Sequence, residues 1–390
     1  MRVAIIGSGI AGLTAAVALR KVGLDVAVYE RAPELREIGA GISLWANALA
    51  ALDHIGAGDA VRRAALALVR SEIRAAEGRR VLVGFPAAYF ETKFGVRPFV
   101  AMIHRAELVA ALAGFLPDGV ARYGFECVGV ARTGDKVVVR FANRHVETAD
   151  VVIGADGIKS VVRAALFGPR EPRYAGYTCW RGIAARPAGI EPGYIGEWWG
   201  RGRRFGITTL TNDRVYWFAV HNAPAGQHSA DERAVVADLF RGWADPVPEL
   251  IATTPPDRLI RNDIVDRPPT RTWSVGRVGL VGDAAHPTTP NFGQGGCMAI
   301  EDGVALARAL ATHADPARGL EAFAAERYPR TAAVTRESWR FGKVGQWRGR
   351  ASCWVRDRAF GFLLPRFGAR TFPKYAAFDI GPLPPAKAHG

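Results

Sequence analysis

Cysteine is scarce in this sequence of 390 residues, and its four cysteines lie far apart along the chain. None of them forms a CxxC pair, so the sequence offers no typical thiol site for a metal or for redox exchange. The chain also begins without a basic stretch and a small-residue cleavage site, so no secretory signal is predicted. We therefore expect a reduced, cytoplasmic setting. The cysteines are Cys127, Cys179, Cys297 and Cys353.

Lysine is scarce as well, because only 7 of the 51 basic residues are lysines and the other 44 are arginines. The formal net charge of +14 and the isoelectric point of about 10.1 raise the question of a nucleic-acid partner. The basic clusters, however, are short and lack a nucleic-acid-binding motif. We expect no such partner, although a positive field favours the capture of anionic cofactors and substrates.

Long uninterrupted apolar runs are missing. The apolar stretch from Val3 to Leu19 is interrupted by Gly7, Gly9 and Gly12, and its flanks suit a strand, a turn and a helix better than a membrane span. The eight histidines are scattered without the spacing of metal ligands. The sequence therefore predicts neither a transmembrane helix nor a metal site.

The first thirty residues are typical of one βαβ unit. A strand from Arg2 to Ile6 precedes the segment GSGIAG, and a helix from Leu13 to Val22 leads to a second strand from Asp25 to Glu30. Such a unit is the beginning of a parallel sheet that binds a dinucleotide.

The glycines of GSGIAG have GxGxxG spacing. Gly7 permits the turn, Gly9 lets the backbone approach a pyrophosphate, and Gly12 allows close packing of the helix. Glu30 ends the next strand, where a carboxylate can accept hydrogen bonds from an adenosine ribose. A glutamate rather than an arginine at this position argues against a 2′-phosphate in this slot.

The pattern of residues changes twice along the chain. Helix patterns are predicted at Ala46 to Ile55 and His104 to Phe115, and a strand pair is predicted at Lys136 to Phe141 and His145 to Ile153. From Tyr174 to about Asp266, short alternating runs rich in tryptophan and tyrosine predict an antiparallel sheet. An apolar strand and a long helix beginning near Gly295 then resume the first domain.

Two further segments carry a resemblance to a known family. GADGIKSVVR, from Gly154 to Arg163, and VGLVGDAAHPTTPNFGQGGCMAIED, from Val278 to Asp302, resemble the DG and GD motifs of the class A flavoprotein monooxygenases. Together with GSGIAG they form an ordered triplet that is more specific than any member alone. Only one GxGxxG occurs, which favours this class over enzymes that hold NADPH on a second dinucleotide fold.

The resemblance implies an α/β fold like that of p-hydroxybenzoate hydroxylase. A discontinuous Rossmann-like FAD-binding domain is expected at residues 1–70, 97–172 and 272–340. An inserted antiparallel β-sheet domain that binds the substrate is expected at 71–96 and 173–271. The remaining residues, 341–390, are expected to form C-terminal helices. This tail could cap the active site, mediate a homodimer, or touch a membrane surface through Phe360, Phe362, Leu363 and Leu364.

The resemblance also implies non-covalent FAD and the residues that bind it. Arg105 has the alternative of a solvated helix arginine, and Asp156 that of an ordinary turn aspartate. A helix starting near Gly295 would offer unpaired N–H groups to the charge that builds on a reduced flavin. His286 is interpreted as structural. The expected FAD-binding residues are Gly7, Gly9, Ala11, Gly12, Glu30, Arg31, Ser43, Arg105, Cys127, Asp156, Asp283, Gly293, Gly295 and Gly296.

On the substrate side the chain resembles the branch of FAD-dependent urate hydroxylases and, more loosely, salicylate-type hydroxylases and carotenoid epoxidases. In that branch residues corresponding to Arg204 and Tyr216 hold the substrate, and both types suit a planar polar ligand. The chain departs from the branch at Asn291, where urate-type members carry an aspartate. An amide is a poor base and no negative partner for an arginine, which puts urate in doubt.

The function implied is a monooxygenase that uses NAD(P)H and O₂ to hydroxylate a small aromatic or heteroaromatic molecule through a flavin C4a-hydroperoxide. Arg204, Tyr216 and Asn291 are the expected catalytic residues. Alternatives are an epoxidase of an alkene, a flavin reductase that never uses O₂, and an FAD-holding scaffold without turnover. Four tryptophans could wall the pocket or belong to the core: Trp180, Trp198, Trp199 and Trp217.

Overall fold

The computed structural model describes residues 1–35, 40–76, 80–363 and 375–386. The strands are β1 (Arg2–Ile6), β2 (Asp25–Glu30), β3 (Gly41–Trp45), β4 (Leu66–Ala67), β5 (Arg70–Ala75), β6 (Val81–Pro86), β7 (Val100–His104), β8 (Ala121–Tyr123), β9 (Cys127–Thr133), β10 (Lys136–Phe141), β11 (Val146–Ala149), β12 (Val151–Gly154), β13 (Arg173–Ala185), β14 (Tyr194–Trp199), β15 (Arg203–Leu210), β16 (Arg214–Asn222), β17 (Ile260–Asp266), β18 (Ser274–Val275) and β19 (Val278–Leu280). The helices are α1 (Ile10–Lys21), α2 (Ala46–Ile55), α3 (Gly58–Ala64), α4 (Ala87–Phe94), α5 (Arg105–Ala113), α6 (Val161–Phe167), α7 (Glu232–Leu239), α8 (Val247–Thr253), α9 (Gly295–Thr312), α10 (Pro316–Gly345) and α11 (Arg350–Leu363).

A mostly parallel sheet organises the first layer, with strand order β18-β19-β12-β1-β2-β8. Its central strands are continuous apolar runs, as expected for strands that are covered on both faces. Helix α1 is buried from Ile10 to Leu19 and packs between this sheet and α9. The carboxyl ends of β1, β12 and β19 lie side by side because these strands pair in parallel.

A second sheet of seven strands has the order β17-β13-β16-β15-β14-β5-β6. One face is packed with aromatic side chains against α7 and α8 and forms a separate core. Alternate residues on the opposite face point toward the parallel-sheet layer. The molecule is therefore a mixed α/β structure in which five strands of the second sheet, β13 to β17, are inserted between β12 and β18 and pair antiparallel, whereas β5 and β6 come from earlier in the chain and β5 pairs with β14 in parallel.

The structure corrects several predicted element boundaries. Helix α1 begins at Ile10 rather than Leu13. The strand predicted from His145 to Ile153 is two strands in different sheets, β11 and β12, separated at Asp150. The Asp150 carboxylate accepts a hydrogen bond from the Arg2 backbone N–H at 2.7 Å and forms an ion pair with Lys136 at 2.5 Å. These contacts of Asp150 therefore mark the break between β11 and β12, which the alternating sequence pattern had predicted to be one continuous strand.

The tail contacts the sheet domain through α10 and α11. Helix α10 continues past residue 340, where a domain boundary was predicted, and the division into domains stays a prediction. The Phe360 ring packs 4.7 Å from Trp199, whereas Phe362 is 61% exposed. Leu364 lies outside the described residues. In the part of the chain that the structure covers, no helix is long and apolar enough to cross a bilayer.

Candidate active site

The glycine turn after β1 is shaped for a ligand that approaches the backbone. Gly7 has φ +107°, and a Cβ there would lie 2.6 Å from the Ala155 carbonyl oxygen. A Cβ on Gly12 would lie 1.9 Å from the Gly7 carbonyl oxygen, so close packing of the turn requires glycine. A Cβ on Gly9, by contrast, would meet no atom of the described chain within 4 Å. The open space at Gly9, beside the N-terminus of α1, is suited to a phosphate group.

Glu30 closes this turn from the neighbouring strand. Its Oε2 accepts hydrogen bonds from the Ser8 N–H at 2.9 Å and the Ser8 hydroxyl at 3.1 Å, and its Oε1 accepts from the Ala32 N–H at 3.0 Å. These bonds orient the carboxylate at the end of β2 while leaving lone pairs for a ribose. Arg31 is exposed beside it.

The segment containing Asp156 forms the start of α6. Asp156 Oδ2 accepts from the N–H groups of Val161 at 2.7 Å and Val162 at 3.3 Å, so the carboxylate caps this helix. Its Oδ1 is buried without a hydrogen-bond partner among the described residues, and burial raises the pKa of Asp156. The turn interpretation therefore accounts for one oxygen, and the other has no hydrogen-bond partner among the described residues.

Arg163, also on α6, connects the segment Gly154 to Arg163 with the segment Val278 to Asp302, which lies more than one hundred residues further along the chain. Its Nη1 donates to the carbonyl oxygens of Ala284 at 3.0 Å and Ala285 at 3.3 Å. Sequence reasoning placed Arg163 within a motif but did not foresee this bridge. The sequence feature that could have indicated the bridge is the position of Arg163 in the first turn of α6, three residues after the helix cap Ser160.

Asp283 and Arg105 face each other across a cleft. Both line its wall, and Asp283 is accessible from the cleft although protein surrounds it on its other sides. Burial raises the pKa of Asp283, and the charges of His286 and Arg105 partly oppose that shift. The first turn of α9 opens onto the same cleft, and among the described residues no side chain caps it.

The expected FAD-binding residues fall into two groups in space. Those that line the cleft are Gly9, Ala11, Ser43, Arg105, Asp283, Gly293, Gly295 and Gly296. Those that lie behind or beside it are Gly7, Gly12, Glu30, Arg31, Cys127 and Asp156. Cys127 is buried in the core, where burial raises the pKa of its thiol to about 11. Direct contact of these residues with FAD stays a prediction.

The residues of the cleft fit FAD. In the described parts of the chain no side chain caps the start of α1 or α9. These helix starts and the open space at Gly9 suit phosphate and a flavin edge that becomes negative on reduction. Arg105 adds a cation. The cleft continues without a break onto the antiparallel sheet as one cavity of about 700 Å³.

Arg204 marks the far end of this cavity and is 3% exposed. All three of its guanidine nitrogens are engaged: Nη2 donates to Asn291 Oδ1 at 2.6 Å, Nη1 to Glu197 Oε1 at 3.1 Å, and Nε to Gln346 Oε1 at 3.0 Å. Asn291 contributes only a neutral amide oxygen, in keeping with its chemistry. Glu197 from β14 supplies the carboxylate partner, which sequence reasoning missed.

Burial raises the pKa of Glu197, and Arg204 opposes this shift. A guanidinium is not deprotonated in proteins, and a second one, on Arg356, also favours the ionised carboxylate. We therefore treat Glu197 and Arg204 as an ion pair. The pairing register of β14 and β15 accounts for this contact. Trp199 pairs with Arg204, and Glu197 lies two residues from Trp199 on the same face of the sheet.

Asn291 organises the contacts around Arg204. Its Nδ2 lies within hydrogen-bonding distance of the Tyr177 hydroxyl at 3.0 Å, the Thr289 hydroxyl at 2.9 Å and the Ser338 carbonyl oxygen at 2.9 Å. Helix α10 approaches closely here, since a Cβ on Gly342 would lie 2.5 Å from Asn291 Nδ2. Neither Gly342 nor Gln346 was singled out in the sequence, because only the tertiary packing of α10 brings them to the site.

Tyr216 lies at a different place on the same sheet face. It pairs in register with Thr208, four residues along β15 from Arg204, which corresponds to about 14 Å. Its ring packs against Gly41. Burial raises the pKa of Tyr216 to about 12, so its hydroxyl is protonated at neutral pH. The structure therefore brings Arg204 and Asn291 together but does not bring Tyr216 to them.

Apolar side chains other than tryptophan cover the sheet between these two places. Trp180, Trp198 and Trp217 belong to the core on the opposite face, as one of the two interpretations held. Trp199 is buried 5.6 Å from the Arg204 guanidinium. The apolar part of the cavity wall comes instead from Phe218, Val220, Ile260 and Ile264.

A buried ionic network supports the cleft from below. Asp302 Oδ2 accepts from the Gly282 N–H at 2.9 Å and lies 2.6 Å from His286 Nε2, while its Oδ1 accepts from Arg327 Nε at 2.8 Å. Arg327 also pairs with Glu301 at 2.5 Å. His286 is buried against Trp273 and matches the predicted structural role. The described residues contain no cluster of ligands that could hold a metal ion.

Comparison with known proteins places this geometry among flavoenzymes. A family model described as an FAD binding domain matches residues 1–338. The chain is 39% identical to the aurachin C monooxygenase/isomerase of Stigmatella aurantiaca over 95% of this chain and 97% of that protein. It is 35% identical to the FAD-dependent urate hydroxylase of Mycolicibacterium vanbaalenii over 85% of each. The crystal structure of Klebsiella pneumoniae HpxO complexed with FAD and uric acid has a TM-score of 0.88, at 30% identity and 96% coverage of each chain.

Proposed function

The chain belongs to the class A FAD-dependent monooxygenases, close to the urate hydroxylase branch, and from that premise we propose that it hydroxylates a small planar aromatic or heteroaromatic molecule other than urate. The observation that carries this proposal is the continuity of the cavity from the glycine turn to the apolar face of the antiparallel sheet. A flat molecule on that face lies next to the flavin-binding end of the cleft.

FAD, when bound, takes reducing equivalents from NAD(P)H and activates oxygen. The chain has to bind it, orient the substrate and exclude water. Gly9, Arg105 and Asp283 are proposed to hold the cofactor on one side of the cavity. The backbone N–H groups at the start of α9 would stabilise the negative charge of the reduced cofactor.

Substrate orientation is proposed to come from the sheet. The Phe218 ring covers Gly206, where a Cβ would lie 2.1 Å from the ring, and so forms a flat apolar surface. Tyr216 keeps its proton and can donate a hydrogen bond to a substrate oxygen. Asn291 has its amide fully engaged and is proposed to position Arg204 rather than to act as a base.

Urate is disfavoured by the charges around Arg204. In this chain the guanidinium is already neutralised by Glu197 at 3.1 Å, so it presents no net positive charge to an anion at that position. A substrate group that contacts Arg204 is therefore proposed to be neutral, such as a carbonyl or a ring nitrogen.

We also propose O₂ as the oxidant, the cytoplasm as the location and a homodimer as the functional form. The four cysteines are free and buried, which suits a reducing compartment. Helix α11 exposes Trp354 and Val355, 60% and 52% accessible, as a surface for self-association. Sedimentation at micromolar concentration tests the dimer.

The test of the function begins with purified protein and its flavin absorption. NAD(P)H oxidation is then followed with a panel of phenols, quinolones, purines and polyenes, and the product is analysed after reaction under ¹⁸O₂. The proposal expects stimulation by a planar ring compound and one labelled oxygen in its hydroxylated product. An epoxide from a polyene would favour the epoxidase alternative, and unlabelled product would favour a reductase. A protein without bound flavin, even after supplementation with FAD, would refute the proposal.

A further inference from the structure

The charged side chains on the cavity wall do not balance, and this inference rests on the proposed function. Among the described residues that line the cavity, three are arginines and two are carboxylates. Arg204 is paired with Glu197, and Arg105 faces Asp283 at the cofactor end. The remaining cation is Arg181, which lies on β13 and has no carboxylate within ion-pair distance among the described residues.

Arg181 is held in place by neutral groups alone. Its Nη1 donates to Asn262 Oδ1 at 3.1 Å, and its guanidinium also lies within hydrogen-bonding reach of the Tyr216 hydroxyl. A guanidinium has five N–H donors, so these two bonds leave donors for a ligand. Phe218 is its register partner on β16, which places Arg181 at the edge of the flat apolar surface.

Arg181 is partly buried on a largely apolar cavity wall. An anion that meets an unpaired cation in such a place stabilises it, because the partner offsets the partial loss of hydration. The two ends of the cavity therefore differ in charge. The Arg204 end is neutral as a unit, and the Arg181 end carries a net positive charge. An anionic group on a ligand gains more at Arg181 than at Arg204.

We propose that Arg181, together with Tyr216, forms the anion-binding subsite of the substrate pocket and that the substrate is a planar aromatic molecule carrying one acidic oxygen group, a carboxylate or an ionised ring hydroxyl. The acidic group is bound by the Arg181 guanidinium, and the ring lies over Phe218 and Val220. The opposite edge of the ring carries an uncharged polar group toward Arg204. The distance of about 14 Å between the strand positions of Tyr216 and Arg204 suits a fused bicyclic ring with substituents better than a single ring.

The test uses holoenzyme and two probes of equal shape, 2-naphthoate and 2-naphthamide, which differ in charge. Binding is measured as the change in the flavin absorption spectrum at constant pH and ionic strength. The variants are Arg181→Met, which removes the charge at similar length, and Arg181→Lys, which keeps it. Arg241→Gln is the control for total charge, because Arg241 is on the surface with its side chain 81% exposed.

The wild-type enzyme is expected to bind naphthoate more tightly than naphthamide. Arg181→Met should weaken naphthoate about ten- to a hundredfold, the value for a hydrogen bond to a charged group, and leave naphthamide nearly unchanged. Arg181→Lys should restore part of the preference, and Arg241→Gln should leave it intact. The flavin spectrum of each variant reports that the fold and the cofactor site are retained.

Three results overturn the subsite. The first is equal affinity of the wild-type enzyme for the two probes, and the second is a preference that survives Arg181→Met. The third is binding of neither probe by a holoenzyme with a normal flavin spectrum. All three leave the monooxygenase function in place if a substrate still stimulates NAD(P)H oxidation, whereas loss of flavin binding or of oxygen incorporation argues against that function instead.

Discussion

Replacement of Asp302 by asparagine is expected to destabilise the protein and loosen its cofactor site together. Asp302 is fully buried and connects three parts of the structure, namely the Gly282 turn, His286 and the Arg327 side chain of α10. Asparagine keeps the shape of the side chain but loses its charge. Its N–H₂ group replaces one carboxylate oxygen and therefore faces the Gly282 N–H or the Arg327 Nε–H, which are donors themselves. The change therefore removes an ion pair without creating a cavity.

The magnitude follows from the burial of both partners. Arg327 is 1% exposed, and it retains Glu301 as its only other carboxylate partner in the described chain. Removing one partner of a buried pair costs about 3–5 kcal/mol because the remaining charge is left in an apolar environment. Glu301 reduces that penalty, so we expect about 3 kcal/mol. The matched control is Asp238→Asn, which breaks the exposed pair with Arg241 and should cost less than about 1 kcal/mol.

The assay is urea unfolding of apoprotein and holoenzyme at pH 7, combined with an FAD titration. Asp302→Asn should lower the free energy of unfolding and also weaken FAD binding, because Gly282 adjoins Asp283 at the cleft. A loss below about 1 kcal/mol, equal to that of the control, would refute the idea that the network stabilises the fold. An unchanged FAD affinity would refute its link to the cofactor site.

The same network has a defined pH dependence. Burial opposes ionisation of Asp302, but the charges of His286 and Arg327 outweigh it and hold the pKa of Asp302 well below its ordinary value. A carboxylate with a lowered folded-state pKa stabilises the fold above its unfolded pKa, about 3.9, and loses that contribution as the pH falls toward the folded value. Wild-type stability should therefore fall below about pH 4, and more steeply than that of Asp302→Asn.

Four further substitutions separate folding from binding. Gly9→Ala should leave the apoprotein stable but weaken FAD binding about tenfold or more, since its Cβ enters the open space proposed for the phosphate. Gly12→Ala should instead destabilise the apoprotein, because its Cβ meets the Gly7 carbonyl oxygen. Thermal melts with and without FAD measure both effects. Gly342→Ala should retain FAD yet raise the KM for the substrate, because its Cβ displaces Asn291, and an unchanged KM would contradict the role of α10 in the site. Asn291→Asp should lower the melting temperature without creating urate-stimulated NADH oxidation, because the Ser338 carbonyl oxygen loses its donor and would face a carboxylate; appearance of that activity would show that Asn291 alone excludes urate.

The cofactor end of the site was predictable because its determinants are local in sequence. The roles assigned to Gly7, Gly9 and Gly12 follow from spacing between a strand and a helix. The structure shows the positive φ of Gly7, the close packing at Gly12 and open space at Gly9, while contact of Gly9 with a pyrophosphate stays a prediction. Glu30 lies at the end of β2 for the same reason, as the second strand of a short βαβ unit.

The substrate end was predictable only in part, because pairing between distant strands decides it. Arg204 and Tyr216 were chosen together, through the resemblance to the urate hydroxylase branch, but the sequence did not indicate that the register of β15 and β16 separates their strand positions. Arg181 was missed, although it lies in the same aromatic-rich segment. A strand pattern reports which residues alternate, but it does not report which face meets a cavity.

The sequence by itself determined the α/β class, the dinucleotide turn and the family, because each depends on short segments whose conformation is set by glycine geometry and apolar periodicity. Only the tertiary structure decided the charge of the substrate pocket. Glu197, Gln346 and Arg181 come from separate parts of the chain. Glu197 neutralises Arg204 across 3.1 Å, and the neutral amide of Gln346 accepts a hydrogen bond from it at 3.0 Å. Such contacts depend on strand register and helix docking, which sum weak interactions over the whole chain.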